Sequence, residues 1–170
     1  MAHRVVAATH AQLLRLKLSL WCGGRVSRLL ASHLVAYPLV SVLSLRIYLV
    51  EDNAIIRENL AAALAELAGT TLRGSAVGEK EAVAWLATHP DDWDLAIVDV
   101  FLAEGNGIGV VAASKGRHRD QKLVVLTNYA SKGVREQCLK LGADAVFDKS
   151  NDIDNLVDFC LAQRAGQPTR

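Results

Sequence analysis

The sequence predicts an α/β fold, with a five-stranded parallel doubly wound sheet in the strand order 2-1-3-4-5 and five helices. From residue 46 onward, short apolar segments alternate with longer segments of helical periodicity. Acidic or polar residues also follow directly after four of the apolar segments. This alternation is typical of a parallel sheet, because each crossover between parallel strands needs a connection long enough for a helix.

The predicted elements occupy residues 46–163. They are strands at 46–50, 71–77, 95–98, 122–126 and 145–147, and helices at 55–67, 79–88, 108–115, 132–141 and 152–163. The first strand is apolar and β-branched and runs into the acidic pair Glu51 and Asp52. The first helix has an apolar stripe that ends before Gly69 and consists of Ile56, Leu60, Leu64 and Leu67.

The middle elements have clear boundaries in the sequence. The second strand carries Gly74, and Pro90 follows the second helix. The third strand is a continuous apolar segment ending at Asp99, as expected for a strand buried on both faces. Turn-forming residues at 105–107 separate it from the third helix.

The last elements end in polar residues as well. The fourth strand ends at Thr127, and Gly142 stops the fourth helix. Lys149 follows the fifth strand, and Ser150 or Asn151 is the predicted cap of the last helix.

Five polar side chains therefore fall at one edge of the predicted sheet: Glu51, Asp52, Asp99, Thr127 and Lys149. In open parallel sheets ligands bind outside the carboxyl ends of the strands, at the point where the strand order reverses. We expect the binding site there.

The chemistry of this cluster predicts a magnesium ion and a phosphoryl group. Neighbouring carboxylates repel one another unless a cation lies among them, and oxygen ligands suit Mg²⁺. We predict Asp52 and Asp99 as direct ligands, Glu51 as a ligand through water, and the backbone carbonyl of Phe101 as a further ligand. Asp99 would be the nucleophile. Lys149 would pair with one phosphoryl oxygen, and the hydroxyl of Thr127 would bond another.

Four short motifs at this edge resemble one family. They are Leu-Val-Glu-Asp-Asn at 49–53, Ile-Val-Asp-Val at 97–100, Val-Leu-Thr-Asn at 125–128 and Phe-Asp-Lys-Ser at 147–150. In this order and spacing they resemble the response-regulator receivers of two-component signal transduction, which are flavodoxin-like, and they cover about 120 residues.

The resemblance implies a phosphorelay function in the cytoplasm. A histidine kinase or phosphotransfer protein would phosphorylate Asp99, slow hydrolysis would follow, and a downstream protein target would bind the face formed by the fourth helix, fifth strand and fifth helix. The chain departs from the family at Val146, where an aromatic residue is usual, so we expect little side-chain rearrangement there.

The ends of the chain differ from the predicted domain. Residues 1–45 contain five basic residues and no acid, and we expect this extension to lie outside the compact fold. The receiver is predicted at 46–164, with a tail at 165–170 and no output domain in the chain. Residues 46–170 carry more acidic than basic residues, which argues against nucleic-acid binding by this chain alone. No apolar segment is long and uncharged enough to predict a membrane span.

Two alternatives remain open. A haloacid-dehalogenase-like phosphatase also uses an aspartate nucleophile with magnesium, but it needs a second acid two residues later, where this chain has Phe101. A degenerate receiver would bind a partner without phosphorylation, which the complete acidic set argues against. We therefore do not expect an enzyme, beyond self-catalysed phosphoryl acceptance and hydrolysis.

Overall fold

The computed structural model describes residues 44–166, which form a five-stranded parallel sheet with helices on both faces. The strands are β1 (Leu45–Val50), β2 (Thr70–Ala76), β3 (Leu95–Val98), β4 (Lys122–Thr127) and β5 (Ala145–Asp148). The helices are α1 (Ala54–Ala68), α2 (Glu79–Thr88), α3 (Gly107–Ala113), α4 (Lys132–Leu141) and α5 (Ile153–Ala165), with a 3₁₀ turn at Ser114–Gly116. All neighbouring strands pair in parallel in the order β2-β1-β3-β4-β5, which confirms the predicted fold class.

The predicted N-terminal extension lies outside the described residues, apart from Ser44 and Leu45. Leu45 is buried as the first residue of β1, and the hydroxyl of Ser44 donates a 2.9 Å hydrogen bond to the carbonyl of Gly69. The described fold therefore begins before residue 46, and α5 continues to Ala165, one residue beyond the predicted end of the domain. Most of the predicted tail also lies outside the described residues.

The sheet separates two apolar layers. One layer lies under α1 and α5, where Leu64 and Leu156 are fully buried against Ile47 and Ile97. The other lies under α2, α3 and α4. Because β1 and β3 are covered on both faces, their side chains from Ile47 to Val50 and from Leu95 to Val98 are buried in both directions, which explains why these segments are continuously hydrophobic.

The buried face of α1 differs from the predicted stripe. Leu67 is 57% exposed, whereas Ala68 is fully buried beside Leu64. Residues four apart lie on the same face of a helix, so Leu64 and Ala68 share the row that meets the sheet. Asn53 begins the helix by accepting hydrogen bonds from two backbone N–H groups, and Gly69 ends it at φ +64°, a conformation that favours glycine.

The end of α3 and the start of α5 also differ from the prediction. Helix α3 ends at Ala113, because the hydroxyl of Ser114 donates to the carbonyl of Val110 and the chain tightens into a 3₁₀ turn. The predicted caps Ser150 and Asn151 are wrong, since Asp152 is the residue that precedes α5. The carbonyl of Asp148 accepts the N–H groups of both Asn151 and Asp152, which keeps these residues in a turn.

Arginine side chains connect the loops at the amino ends of the strands. The guanidinium of Arg46 makes two bonds to the carboxylate of Asp94, at 2.7 and 3.0 Å. Arg117 donates to the carboxylate of Asp144 at 2.6 Å and to the carbonyl of Gly142 at 2.7 Å. Arg117 belongs to a basic segment that sequence reasoning places in solvent, yet its side chain is largely buried.

A cleft of about 600 Å³ opens at this amino edge. Ser44 and Gly166, the first and last described residues, both line it. This arrangement follows from the topology, because β1 starts at the amino edge and α5 runs antiparallel to the strands and ends there. Within residues 44–166, no helix combines the length and apolar character that crossing a bilayer requires.

We expect the Cys160 thiol to resist alkylation in the folded protein. Cys160 is fully buried in α5, and burial raises its pKa to about 12. Because the folded thiol keeps its proton to a higher pH than the unfolded thiol, its contribution to stability is present below about pH 9 and declines as the pH rises toward 12. Iodoacetamide at pH 8.5 followed by peptide mass mapping should find Cys160 unmodified in buffer and modified in urea. Rapid labelling in buffer would contradict the burial.

Candidate functional site

The carboxyl edge of the sheet contains a cleft of about 240 Å³, and all six predicted site residues line it: Glu51, Asp52, Asp99, Phe101, Thr127 and Lys149. They come from the ends of β1, β3, β4 and β5. The topology therefore brings together side chains up to 98 positions apart in sequence.

The acidic pair occupies the short connection between β1 and α1. The N–H of Glu51 donates to the carbonyl of Ala76 at 3.0 Å, so this residue continues the pairing of β1 with β2. Its own carbonyl accepts a 2.7 Å bond from the Arg57 guanidinium. Glu51 is buried, and Asp52 is more exposed. The pair is thus fixed by the strand on one side and by α1 on the other.

Asp99 directly follows β3 and is only 8% exposed. Its N–H donates to the carbonyl of Val50 at 2.9 Å, and its Oδ1 accepts a 3.2 Å bond from the N–H of Phe101. Gly107 packs so closely behind it that an added Cβ would lie 1.9 Å from the Asp99 carbonyl oxygen. The backbone of Asp99 is therefore held from both sides, while Oδ2 faces Lys149.

Lys149 joins two of the carboxylates. Its Nζ lies 2.6 Å from Oδ2 of Asp99 and 2.5 Å from Oε2 of Glu51. Burial lowers the pKa of Lys149, but the hydrogen bonds to Asp99 and then Glu51 outweigh it, so the pKa is raised overall. The side chain is consequently a fixed positive charge against Asp99.

Thr127 is fully buried at the end of β4. Its Oγ1 accepts a long hydrogen bond of 3.4 Å from the N–H of Tyr129, and its carbonyl accepts the N–H of Lys149 at 3.1 Å. The backbone of Thr127 is thus bonded to the residue that carries the ammonium group. The weak contact of its hydroxyl leaves that hydroxyl able to change partner.

The three carboxylates fit a hard cation. Glu51, Asp52 and Asp99 each offer an oxygen, and these oxygens lie within 4.8 Å of one another. Three carboxylates outnumber the single ammonium group of Lys149, so the cluster has negative charge left to attract a cation. The donor set is all oxygen, which suits Mg²⁺ or Ca²⁺.

Sequence reasoning missed the aromatic rim of this cleft. The side chains of Phe101 and Tyr129 are 54% and 65% exposed and meet edge to face, with ring centroids 4.9 Å apart. Ile56 and Asn53 line the cleft as well. Asn53 has a sequence signal, since a polar residue before a helix is a typical N-cap. Phe101 is predicted only for its backbone carbonyl, and the side chains of Phe101, Tyr129 and Ile56 have no sequence signal for the cleft, because an exposed apolar residue has no distinctive spacing.

A doubly wound sheet with an acidic cluster, a lysine and a buried threonine at its carboxyl edge defines the class of protein. Residues 47–160 match the family model of the response regulator receiver domain. The chain belongs to this family, the receiver domains of two-component systems.

Curated relatives and solved structures agree with this assignment. The acid tolerance regulatory protein ActR of Rhizobium meliloti (strain 1021) is 33% identical over 87 residues, covering 51% of this chain and 43% of ActR. The photosynthetic apparatus regulatory protein RegA of Rhodobacter capsulatus is 29% identical over 126 residues, covering 71% of this chain and 63% of RegA. The chain therefore spans about half the length of these relatives.

One solved structure has the same fold. It is a response regulator protein from Burkholderia pseudomallei, crystallised with a phosphorylated aspartic acid, a calcium ion and citrate. It superposes with a TM-score of 0.60 at 24% identity and covers 72% of this chain and 69% of its own.

Proposed function

We propose that this chain accepts a phosphoryl group on Asp99 and signals through protein contacts. The observation that carries the proposal is the Lys149 ammonium, bonded to both Asp99 and Glu51 in the acidic cluster. The donor is a histidine kinase or a phosphotransfer protein, and the location is the cytoplasm. The solved structure with a phosphorylated aspartate supports this assignment by its likeness of fold.

The reaction is a phosphoryl transfer between two side chains. A carboxylate oxygen of Asp99 attacks the phosphorus, and a new O–P bond forms as the P–N bond of the donor phosphohistidine breaks. The electron pair of that bond stays on the imidazole nitrogen. Such transfers depend mainly on positioning and charge neutralisation, which the backbone bonds of Asp99 and the charge of Lys149 provide.

Asp52 and Asp99, with Glu51 through water and the Phe101 carbonyl, would hold Mg²⁺ in this proposal. The ion supplies neutralisation of phosphoryl charge when bound. Lys149 pairs with one phosphoryl oxygen, since its ammonium already lies against Oδ2 of Asp99. The exposed Phe101 stands where a dehalogenase-like phosphatase needs its second acid, so we do not retain that alternative.

The proposal is tested with the intact chain. Incubation with acetyl phosphate and Mg²⁺ should add one phosphoryl group, seen by intact-mass spectrometry, and EDTA should prevent the addition. No addition in the presence of Mg²⁺, from either acetyl phosphate or phosphoramidate, would refute it.

Thr127→Ala should leave Asp99 able to accept the phosphoryl group but weaken the conformational response. The hydroxyl bonds an oxygen that exists only after phosphorylation, so its loss acts on the phosphorylated state. Removing one such charge-assisted bond should reduce the population of the active form by roughly tenfold. Intact mass measures acceptance, and amide chemical shifts measure the response. Abolished acceptance would contradict this role.

We also propose that residues 1–43 are dispensable for phosphorylation. A chain that begins at Ser44 retains all of β1 and the bond from Ser44 to Gly69. It should accept a phosphoryl group at the rate of the full chain and melt within about 4 °C of it. A larger loss of melting temperature would show that the extension packs on the domain.

A further inference from the structure

The side chain of Arg135, on α4, reaches three separate segments. Its Nε donates to the carbonyl of Ala130 at 3.0 Å, and its Nη1 donates to the carbonyl of Val146 at 2.5 Å. Its Nη2 lies 3.1 Å from Oδ2 of Asp152. One guanidinium therefore bonds the loop after β4, the strand β5 and the residue that precedes α5.

Two of these segments lead directly to the functional site. Ala130 belongs to the loop that follows Thr127, in which the N–H of Tyr129 bonds the Thr127 hydroxyl. Asp152 accepts a 2.9 Å bond from the N–H of Asp148, the residue before Lys149, on the same Oδ2 that bonds Arg135. Arg135 therefore contacts both the loop that follows Thr127, through Ala130, and the turn that contains Lys149, through Asp152.

The charges of Arg135 and Asp152 favour a stable ion pair. The hydrogen bond from the Asp148 backbone, and then that from Arg135, lower the pKa of Asp152, so its carboxylate is ionised at neutral pH. A guanidinium presents several N–H groups in one fixed plane, whereas a lysine ammonium is a single point charge that cannot match three acceptors at these positions.

We propose that Arg135 is a positioning residue that couples the loop after Thr127 to the turn carrying Lys149, so that a displacement of that loop moves the amino ends of α4 and α5 together. The proposal rests on the proposed function and names how that site is regulated. The side chain of Val146 is buried in the core, and its backbone carbonyl accepts a hydrogen bond from Arg135, so the same guanidinium also contacts β5.

The coupling is tested first without phosphorylation, by amide hydrogen exchange on the full chain. Arg135→Ala should speed exchange in both 127–131 and 148–152 by about tenfold, since the variant removes hydrogen bonds from an ionised donor. The matched control is Lys132→Ala on the same helix, where the side chain is 91% exposed and its only ion pair is 4.0 Å long among the described residues. Unchanged exchange in either loop of Arg135→Ala would overturn the proposal. If that variant does not fold, Asp152→Asn tests the same bond.

The second measurement uses beryllofluoride with Mg²⁺ as the phosphoryl mimic. In the unaltered chain, amide shift changes should extend from the site to the amino ends of α4 and α5. In Arg135→Ala they should persist at Asp99 and Lys149 and fall several-fold on the two helices, with Arg135→Lys intermediate. If Arg135→Ala kept the full shift changes on both helices, the proposed coupling would be refuted and the proposed function would stand. No response in the unaltered chain would instead refute the proposed function, and the exchange measurement would still decide the coupling.

Discussion

Asp99→Asn should abolish phosphoryl acceptance. The amide is a poor nucleophile and carries no charge to bind a cation, and no neighbouring carboxylate occupies the same position. Glu51 is bonded by Lys149, and Asp52 lies in the connection after β1. Intact mass after incubation with acetyl phosphate and Mg²⁺ should show no addition, which corresponds to at least about a thousandfold loss of rate for removal of a covalent nucleophile.

The fold should survive this substitution. Lys149 keeps its bond to Glu51, and the cluster loses one of three mutually repelling carboxylates, so we expect the free energy of unfolding to fall by no more than about 1 kcal/mol. Asp158→Asn, an exposed change on α5, is the matched control and should be phosphorylated normally. Full phosphorylation of Asp99→Asn would show that another residue is the acceptor.

Gly107→Ala should be the most destabilising glycine-to-alanine change among the described residues. The new Cβ would lie 1.9 Å from the carbonyl oxygen of Asp99 and 2.8 Å from its carbonyl carbon. Both are backbone atoms, so a side-chain rotation cannot relieve the clash. The Gly107 N–H also donates to the carbonyl of Val100 at 2.9 Å, which keeps the two segments together. We expect a loss of about 3 kcal/mol or more in urea unfolding, with impaired phosphorylation because the strain acts on Asp99.

Gly133→Ala is the same glycine-to-alanine change, but we expect it to have the opposite effect on stability. Nothing lies within 4 Å of a Cβ added there, and the residue is in α4. Alanine should therefore stabilise the protein by about 0.5 kcal/mol through helix propensity. If Gly107→Ala and Gly133→Ala had equal effects, the close contact between α3 and Asp99 would not exist in solution.

The fold was predictable because its signals are local and repeated. Four of the five strands are short, mainly apolar segments, and each strand is followed by a longer segment with helical spacing, so errors of one or two residues at the ends do not change the topology. Lys149 and Asp99 are 50 positions apart, yet their meeting follows once both are assigned to carboxyl ends of strands in the same parallel sheet. The metal, the phosphoryl group and the roles of these residues remain predictions.

The remaining features depend on tertiary contacts that have no local signal. Arg117 and Arg135 look like ordinary solvated residues in the sequence, and their acceptors are mainly backbone carbonyls, which every residue possesses. In α1, composition favours Leu67 for the core, but the row that meets the sheet contains Ala68. A prediction from sequence places a residue in the core by its type, whereas in the structure the direction in which a helix position points decides whether it meets the sheet.

The position of Ser44 and Gly166 beside one cleft has a practical consequence for laboratory use of the domain. Both ends of the described chain emerge at the edge of the sheet opposite Asp99. In a chain cut to residues 44–166, a fluorescent protein, an affinity tag or a surface linker attached at Ser44 or Gly166 should therefore stay clear of the phosphodonor. The domain is suited to immobilised binding assays and to sensors in which the reporter is fused at an end and the reaction takes place on the far side.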